Sequence, residues 1–94
     1  MKIMILGADG YLGWPTSVDL SSKNHKLLLI DNFTKKNLLK EYNRQPLLSN
    51  KPLNTRIKFL NNKNVSFKNI NCSNYIKFSN AFKAFKPDAV IHYA

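Results

Sequence analysis

The sequence predicts an α/β fold: one parallel sheet in the strand order 3-2-1-4, with helices on both faces. Three observations predict it. Short apolar runs alternate with stretches of helical periodicity. The first run, Lys2 to Leu6, passes straight into three glycines spaced G-x-x-G-x-x-G, at Gly7, Gly10 and Gly13. The second, His25-Lys26-Leu27-Leu28-Leu29-Ile30-Asp31, is too uniformly apolar for a half-exposed strand and ends in an acid.

Taken in order, Lys2–Leu6 is a buried strand and Tyr11 to about Ser22 an amphipathic helix. Tyr11, Leu12, Val18 and Leu20 are its candidate core contacts. Pro15 falls within the first turn or so, where a missing N–H costs least. Asn24 is a left-handed stop. The second strand follows, central in the sheet. Residues 32–64 read as an insertion, with short helices at Asn37–Arg44 and Leu53–Asn62 separated by a turn-rich piece between Pro46 and Pro52. In the second of these helices Ile57 and Leu60 face inward. Val65–Ile70 alternates as a third strand. Ser73 or Asn74 caps a helix running to about Lys86, with Ile76, Phe78, Ala81, Phe82 and Phe85 as its apolar stripe. Ala89–Ala94 is a fourth buried strand, with His92 a core imidazole. Right-handed crossovers give the order 3-2-1-4.

Strand, glycine turn, helix, then a second strand ending in Asp31 near the ~20-residue spacing is the layout of a dinucleotide-binding, Rossmann-type unit. Gly7 permits the tight turn, Gly10 lets backbone approach a pyrophosphate, and Gly13 lets the helix lie close on the sheet. The helix start offers N–H groups and partial positive charge to the phosphates. Asp31 can accept from both hydroxyls of an adenosine ribose.

Composition excludes other classes. A hydrophobic content of 44% argues against disorder, and no apolar run approaches the ~20 residues that span a bilayer. The start lacks the layout of a secretory signal, so a cytoplasmic chain without membrane association is expected. One cysteine, Cys72, forms no internal disulfide, and no Cys/His cluster has metal-ligand spacing, so no metal is expected. The charge of +10 invites a nucleic-acid reading, but the lysines are scattered and interleaved with asparagines, and the aromatics sit at core periodicity. No nucleic-acid partner is expected.

With these residues in hand the chain resembles the extended short-chain dehydrogenase/reductase family, the nucleotide-sugar epimerases and dehydratases. Gly7-x-x-Gly10-x-x-Gly13, Ile30-Asp31-Asn32 and Val90-Ile91-His92-Tyr93-Ala94 carry the resemblance. Gly10-Tyr11-Leu12-Gly13-Trp14 with Thr16, the basic pair Lys35-Lys36, the long insertion and Phe82-Lys83-Ala84-Phe85-Lys86-Pro87-Asp88 look closest to the branch that makes a sulfonated sugar nucleotide from UDP-glucose and sulfite. The resemblance implies NAD as cofactor, a nucleotide-sugar substrate such as UDP-glucose, and a homodimer when full length. It implies that Gly7, Asp9, Gly10, Tyr11, Leu12 and Gly13 hold the pyrophosphate and that Asp31 and Asn32 lie at the ribose. It puts Tyr93 and Ala94 toward the nicotinamide. Lys35 and Lys36 pair with a phosphate or face water. Trp14 shapes the cofactor pocket or packs in the core.

Two departures qualify the resemblance. Where the family carries an Asp-Ile pair at the adenine, this chain has Asn71-Cys72, and the asparagine carbonyl can still accept from the adenine amino group. Cys72 reads as a structural thiol. The family's chemistry also needs a Tyr-x-x-x-Lys pair, the lysine lowering the phenol's pKa so that tyrosinate takes a sugar hydroxyl proton. Here the fourth position after Tyr11, Tyr42 and Tyr75 is Pro15, Pro46 and Ser79, and Tyr93 has none. The expectation is therefore the N-terminal part of a cofactor-binding domain over 1–94, without catalytic residues or substrate domain and inactive alone. Another NAD-dependent nucleotide-sugar epimerase/dehydratase, or a non-catalytic NAD-binding module, is the alternative.

Overall fold

A computed structural model describes residues 1–32, Ile57 and 64–93. The described elements are β1 (Lys2–Leu6), α1 (Gly13–Ser22), β2 (Lys26–Asp31), β3 (Val65–Asn69), α2 (Tyr75–Phe85) and β4 (Ala89–His92). They form a four-stranded sheet in the order β3-β2-β1-β4, and every pairing is parallel. The expected order and the helices on both faces are both seen. Apart from Ile57, the expected helices of the insertion lie outside the described residues.

The two central strands hold the core. Ile3 to Leu6 and Leu27 to Ile30 are buried without a break, as strands covered on both sides must be. Alternation divides them between two clusters. Met4, Leu6, Leu28 and Ile30 join Ile70 and Ala81, with Phe78, Phe85 and Cys72 packed around them. Ile3, Ile5, Leu27 and Leu29 join Ala8 on the opposite face, with Trp14, Leu20 and Ile57 against them. Trp14 packs on the core, one of its two readings, and Ile57 faces inward as expected.

Helix α1 corrects the sequence reading. Its buried residues are Gly13, Ser17 and Ser21, whereas Tyr11, Leu12 and Val18 are exposed, Val18 by 40%. The reason is distance. A Cβ on Gly13 would lie 2.1 Å from the carbonyl oxygen of Gly7, so the helix sits too close to the β1 turn for large side chains on its inner line. Residues at intervals of four share that line, and it carries small residues, Gly13, Ser17 and Ser21. Ser17 is fully buried and satisfies its hydroxyl by donating to the Gly13 carbonyl at 2.7 Å. The helix ends as expected: Asn24 has φ 64°, and His25 N–H and Asn24 N–H donate to the carbonyls of Leu20 and Ser21. Those two bonds define a Schellman stop.

Helix α2 begins at Asn74, whose side chain accepts from Lys77 N–H at 3.2 Å. Ala81, Phe78 and Phe85 face the sheet, but Ile76 is 71% exposed and Phe82 42%. At 100° per residue Ile76 stands about 200° from Phe78, on the opposite side of the helix. The fourth strand is also less buried than expected. Among the described residues β4 pairs with β1 alone, with Val90 and His92 exposed on one face and Ala89 and Ile91 half-buried on the other. His92 is therefore a surface residue rather than a core imidazole. Strand β4 is tied to β1 at its start by two bonds, Lys2 N–H to Asp88 Oδ2 at 2.8 Å and Asp88 N–H to the Lys2 carbonyl at 2.7 Å. No helix among the described residues is long and apolar enough to cross a membrane.

Candidate functional site

The carboxyl ends of the parallel strands bring the sequence-predicted residues together. β1 leaves the sheet at Gly7, whose φ of 80° is open to glycine at little cost and strained for any side chain. Gly7 N–H and Ala8 N–H both donate to the Ile30 carbonyl, at 2.9 and 3.3 Å, which binds the turn to the neighbouring strand. Gly10 N–H then closes back on the Gly7 carbonyl at 3.1 Å, and Trp14 N–H on that of Gly10. The result is a compact loop with Ala8 and Asp9 buried and Gly10 on its outer side.

Three glycines stand in this loop for three different reasons. Gly7 answers a backbone angle and Gly13 a clash with Gly7 and Ala8. Gly10 answers neither: a Cβ there would find its nearest neighbour, the Gly7 oxygen, at 3.4 Å, an ordinary contact. Nothing among the described residues demands glycine at this exposed position. Beside it α1 starts at Leu12 and Gly13 with no side-chain cap. An uncapped helix start directs N–H groups and partial positive charge outward, suited to an anion.

Asp31 closes β2 next to this loop. Asp9 N–H donates to its Oδ2 at 2.9 Å, so the acid and the glycine turn, far apart in sequence, share one hydrogen bond. That bond orients the carboxylate at the lip of the loop. Asn32, half-buried, follows it. Tyr11 and Leu12 project from the loop into solvent.

Two further segments reach the same end of the sheet. After β3, Cys72 packs on the core near Asp31. Burial pushes its thiol above the ordinary pKa, and the Asp31 charge adds to the rise. A protonated, half-buried thiol suits structure and not nucleophilic attack. Asn71 is exposed and builds the turn into α2: its Oδ1 accepts from Ser73 N–H at 3.0 Å and from Ser73 Oγ at 2.7 Å. After β4, Tyr93 N–H continues the ladder onto the Leu6 carbonyl at 2.8 Å. The Tyr93 hydroxyl lies 3.2 Å from Thr16 Oγ1, which itself donates to the Leu12 carbonyl at 2.8 Å. With the Thr16 proton so used, the phenol donates, joining β4 to the first turn of α1. Sequence reasoning did not find Thr16 in this role, since a contact between 16 and 93 exists only once the sheet is formed. Lys35, Lys36 and Ala94 lie outside the described residues. Among those residues, no group of three acidic, His or Cys side chains could hold a metal ion.

Comparison with known proteins bears on this geometry. The profile of the NAD dependent epimerase/dehydratase family matches residues 3–94. Over its whole length the chain is 30% identical to a UDP-sulfoquinovose synthase of Sulfolobus acidocaldarius, of which it covers 25%. Over 98% of its length it is 27% identical to the chloroplastic UDP-sulfoquinovose synthase of Spinacia oleracea, covering 20%. The chain thus spans a fifth to a quarter of the length of these relatives. Among solved structures, all of it superposes on 24% of the Bordetella bronchiseptica enzyme WbmG in complex with NAD, at a TM-score of 0.69 and 26% identity. The fold is likewise shared with the UDP-Glc/GlcNAc 4-epimerase of Campylobacter jejuni, at a TM-score of 0.70 and 22% identity over 99% of this chain and 24% of that one.

Proposed function

The chain belongs to the NAD dependent epimerase/dehydratase family, and on that premise we propose that it is the NAD-binding part of a nucleotide-sugar-modifying oxidoreductase of the UDP-sulfoquinovose synthase type. The observation that carries the reading is the Asp9 N–H to Asp31 Oδ2 bond, which sets a carboxylate beside a bare, uncapped phosphate cradle. The finer assignment, a protein that joins UDP-glucose and sulfite, draws on the two curated relatives named as UDP-sulfoquinovose synthases.

NAD supplies a reversible hydride acceptor at the sugar; the contribution of these residues is to bind and orient it. In this reading the loop from Gly7 to Gly13 would hold the pyrophosphate, with exposed Gly10 leaving the backbone bare and the uncapped start of α1 supplying N–H groups to the charge. Asp31 accepts from the adenosine ribose, with Asn32 beside it, and its negative charge repels a 2′-phosphate, so NAD is preferred over NADP. Tyr93 holds the first turn of α1 in place through Thr16. These 94 residues hold no Tyr-x-x-x-Lys pair to remove a sugar hydroxyl proton, and a cytoplasmic homodimer enters the proposal only as what the family resemblance implies.

The test is titration of NAD into the chain and into Asp31→Ala. Loss of charge-assisted hydrogen bonds at the ribose is expected to weaken binding by about tenfold or more. Equal affinities would remove Asp31 from the site. For the whole protein, formation of UDP-sulfoquinovose from UDP-glucose and sulfite tests the finer assignment, and a plain 4-epimerised product in its place would overturn it.

A further inference from the structure

The carboxyl end of β3 bears on which base the dinucleotide carries, an inference that rests on the NAD-binding reading just given. Along the strand ends the glycine turn follows β1 and Asp31 closes β2. Asn69, paired with Asp31 in register, leads into Ile70, Asn71 and Cys72 beyond β3. A dinucleotide with its pyrophosphate at the first of these and its ribose at the second brings its base to the third.

What Asn71 can offer there is settled by its hydrogen bonds. A carboxamide oxygen has two lone pairs. Both are engaged by Ser73, one by its N–H at 3.0 Å and one by its hydroxyl at 2.7 Å. The Asn71 main-chain oxygen accepts one further bond in the same turn, from Asn74 N–H at 2.8 Å. The turn leading to α2 depends on these bonds, so the oxygen is not available to a ligand without loosening it. The exposed side chain keeps its Nδ2, with two N–H donors and no acceptor.

We propose that Asn71 presents a hydrogen-bond donor to the edge of the purine, so that this side chain does not favour a 6-amino purine over a 6-oxo purine. The amino group of adenine receives nothing from this side chain, whereas the 6-oxygen of hypoxanthine receives an N–H. Asn71 is thus a specificity-determining residue that relaxes base choice, in contrast to the acceptor role that the sequence alone suggests. An aspartate at the same position would reverse the effect. One of its oxygens would keep both Ser73 donors and the other would accept from an amino group.

The experiment compares the dissociation constants of NAD and nicotinamide hypoxanthine dinucleotide on the full chain and on Asn71→Asp, by calorimetric titration. The hypoxanthine dinucleotide is expected to bind the native chain at least as tightly as NAD. In Asn71→Asp the ratio is expected to move about tenfold toward NAD. A native preference for NAD of tenfold or more overturns the inference and leaves the NAD-binding reading standing, as does an unchanged ratio in a folded Asn71→Asp. Failure of the native chain to bind either dinucleotide overturns both.

Discussion

Replacing the glycines of the β1–α1 loop one at a time separates what the fold needs from what the ligand needs. In Gly13→Ala the new methyl would lie 2.1 Å from the Gly7 oxygen, 2.8 Å from Ala8 Cα and 2.9 Å from the Gly7 carbonyl carbon. All three are backbone atoms, so relief requires α1 to move away from the sheet by roughly 1 Å, given ordinary contact distances above 3 Å. That movement would loosen the packing of Ser17, Trp14 and Leu20, and overpacking of this kind costs about 3 kcal/mol. For a domain of this size such a loss lowers the melting temperature by roughly 12 °C or more. In Gly10→Ala the nearest atom is 3.4 Å away and φ is not left-handed, so stability is expected to stay within about 0.5 kcal/mol. NAD affinity is nevertheless expected to fall by about tenfold or more, because in the proposed site the methyl would stand in the approach to the pyrophosphate. Thermal or urea unfolding of both variants, with NAD titration of Gly10→Ala, makes the comparison. If Gly10→Ala melts as early as Gly13→Ala, or binds NAD as the native chain does, the division of roles among these glycines is wrong.

Other substitutions probe neighbouring features. Asn24 holds φ 64° at the α1 stop, so Asn24→Ala should cost about 1 kcal/mol while Asn24→Gly costs almost nothing, and denaturant midpoints measure the difference. Equal losses would mean that the Asn24 side chain, and not its backbone angle, matters. The Cys72 thiol is held above its ordinary pKa by burial and by Asp31, so at mildly alkaline pH it should react with thiol reagents more slowly than in the unfolded chain, and faster in Asp31→Asn. As pH rises past the ordinary thiol value, the unfolded chain loses its proton first. Stability should therefore fall until the folded thiol ionises too, and be unaffected at lower pH. Unfolding free energies measured across that range, in native chain and Cys72→Ser, check the sign.

Local features were legible because each depends on a few adjacent residues. The strand-glycine-helix succession, the left-handed stop at Asn24, the Asn74 cap and the uninterrupted burial of Leu27 to Ile30 all follow from neighbours in sequence. Strand order followed as well, since crossover handedness leaves few arrangements. What tertiary structure alone decided is where three-dimensional distance overrides hydrophobicity. The inner line of α1 runs through Gly13, Ser17 and Ser21 because the Gly7–Gly13 contact brings the helix nearer the sheet than a Val18-lined face would allow. Val90 and His92 are exposed while Ala89 and Ile91 are half-buried because, among the described residues, packing covers one face of β4, a property of the layers on the sheet and not of the strand. The donor character of Asn71 came from both lone pairs of one oxygen meeting Ser73, and the Asp9–Asp31 bond from two turns reaching the same sheet end. Sequence periodicity specifies which residues can be buried; the spacing between packed elements determines which of them are.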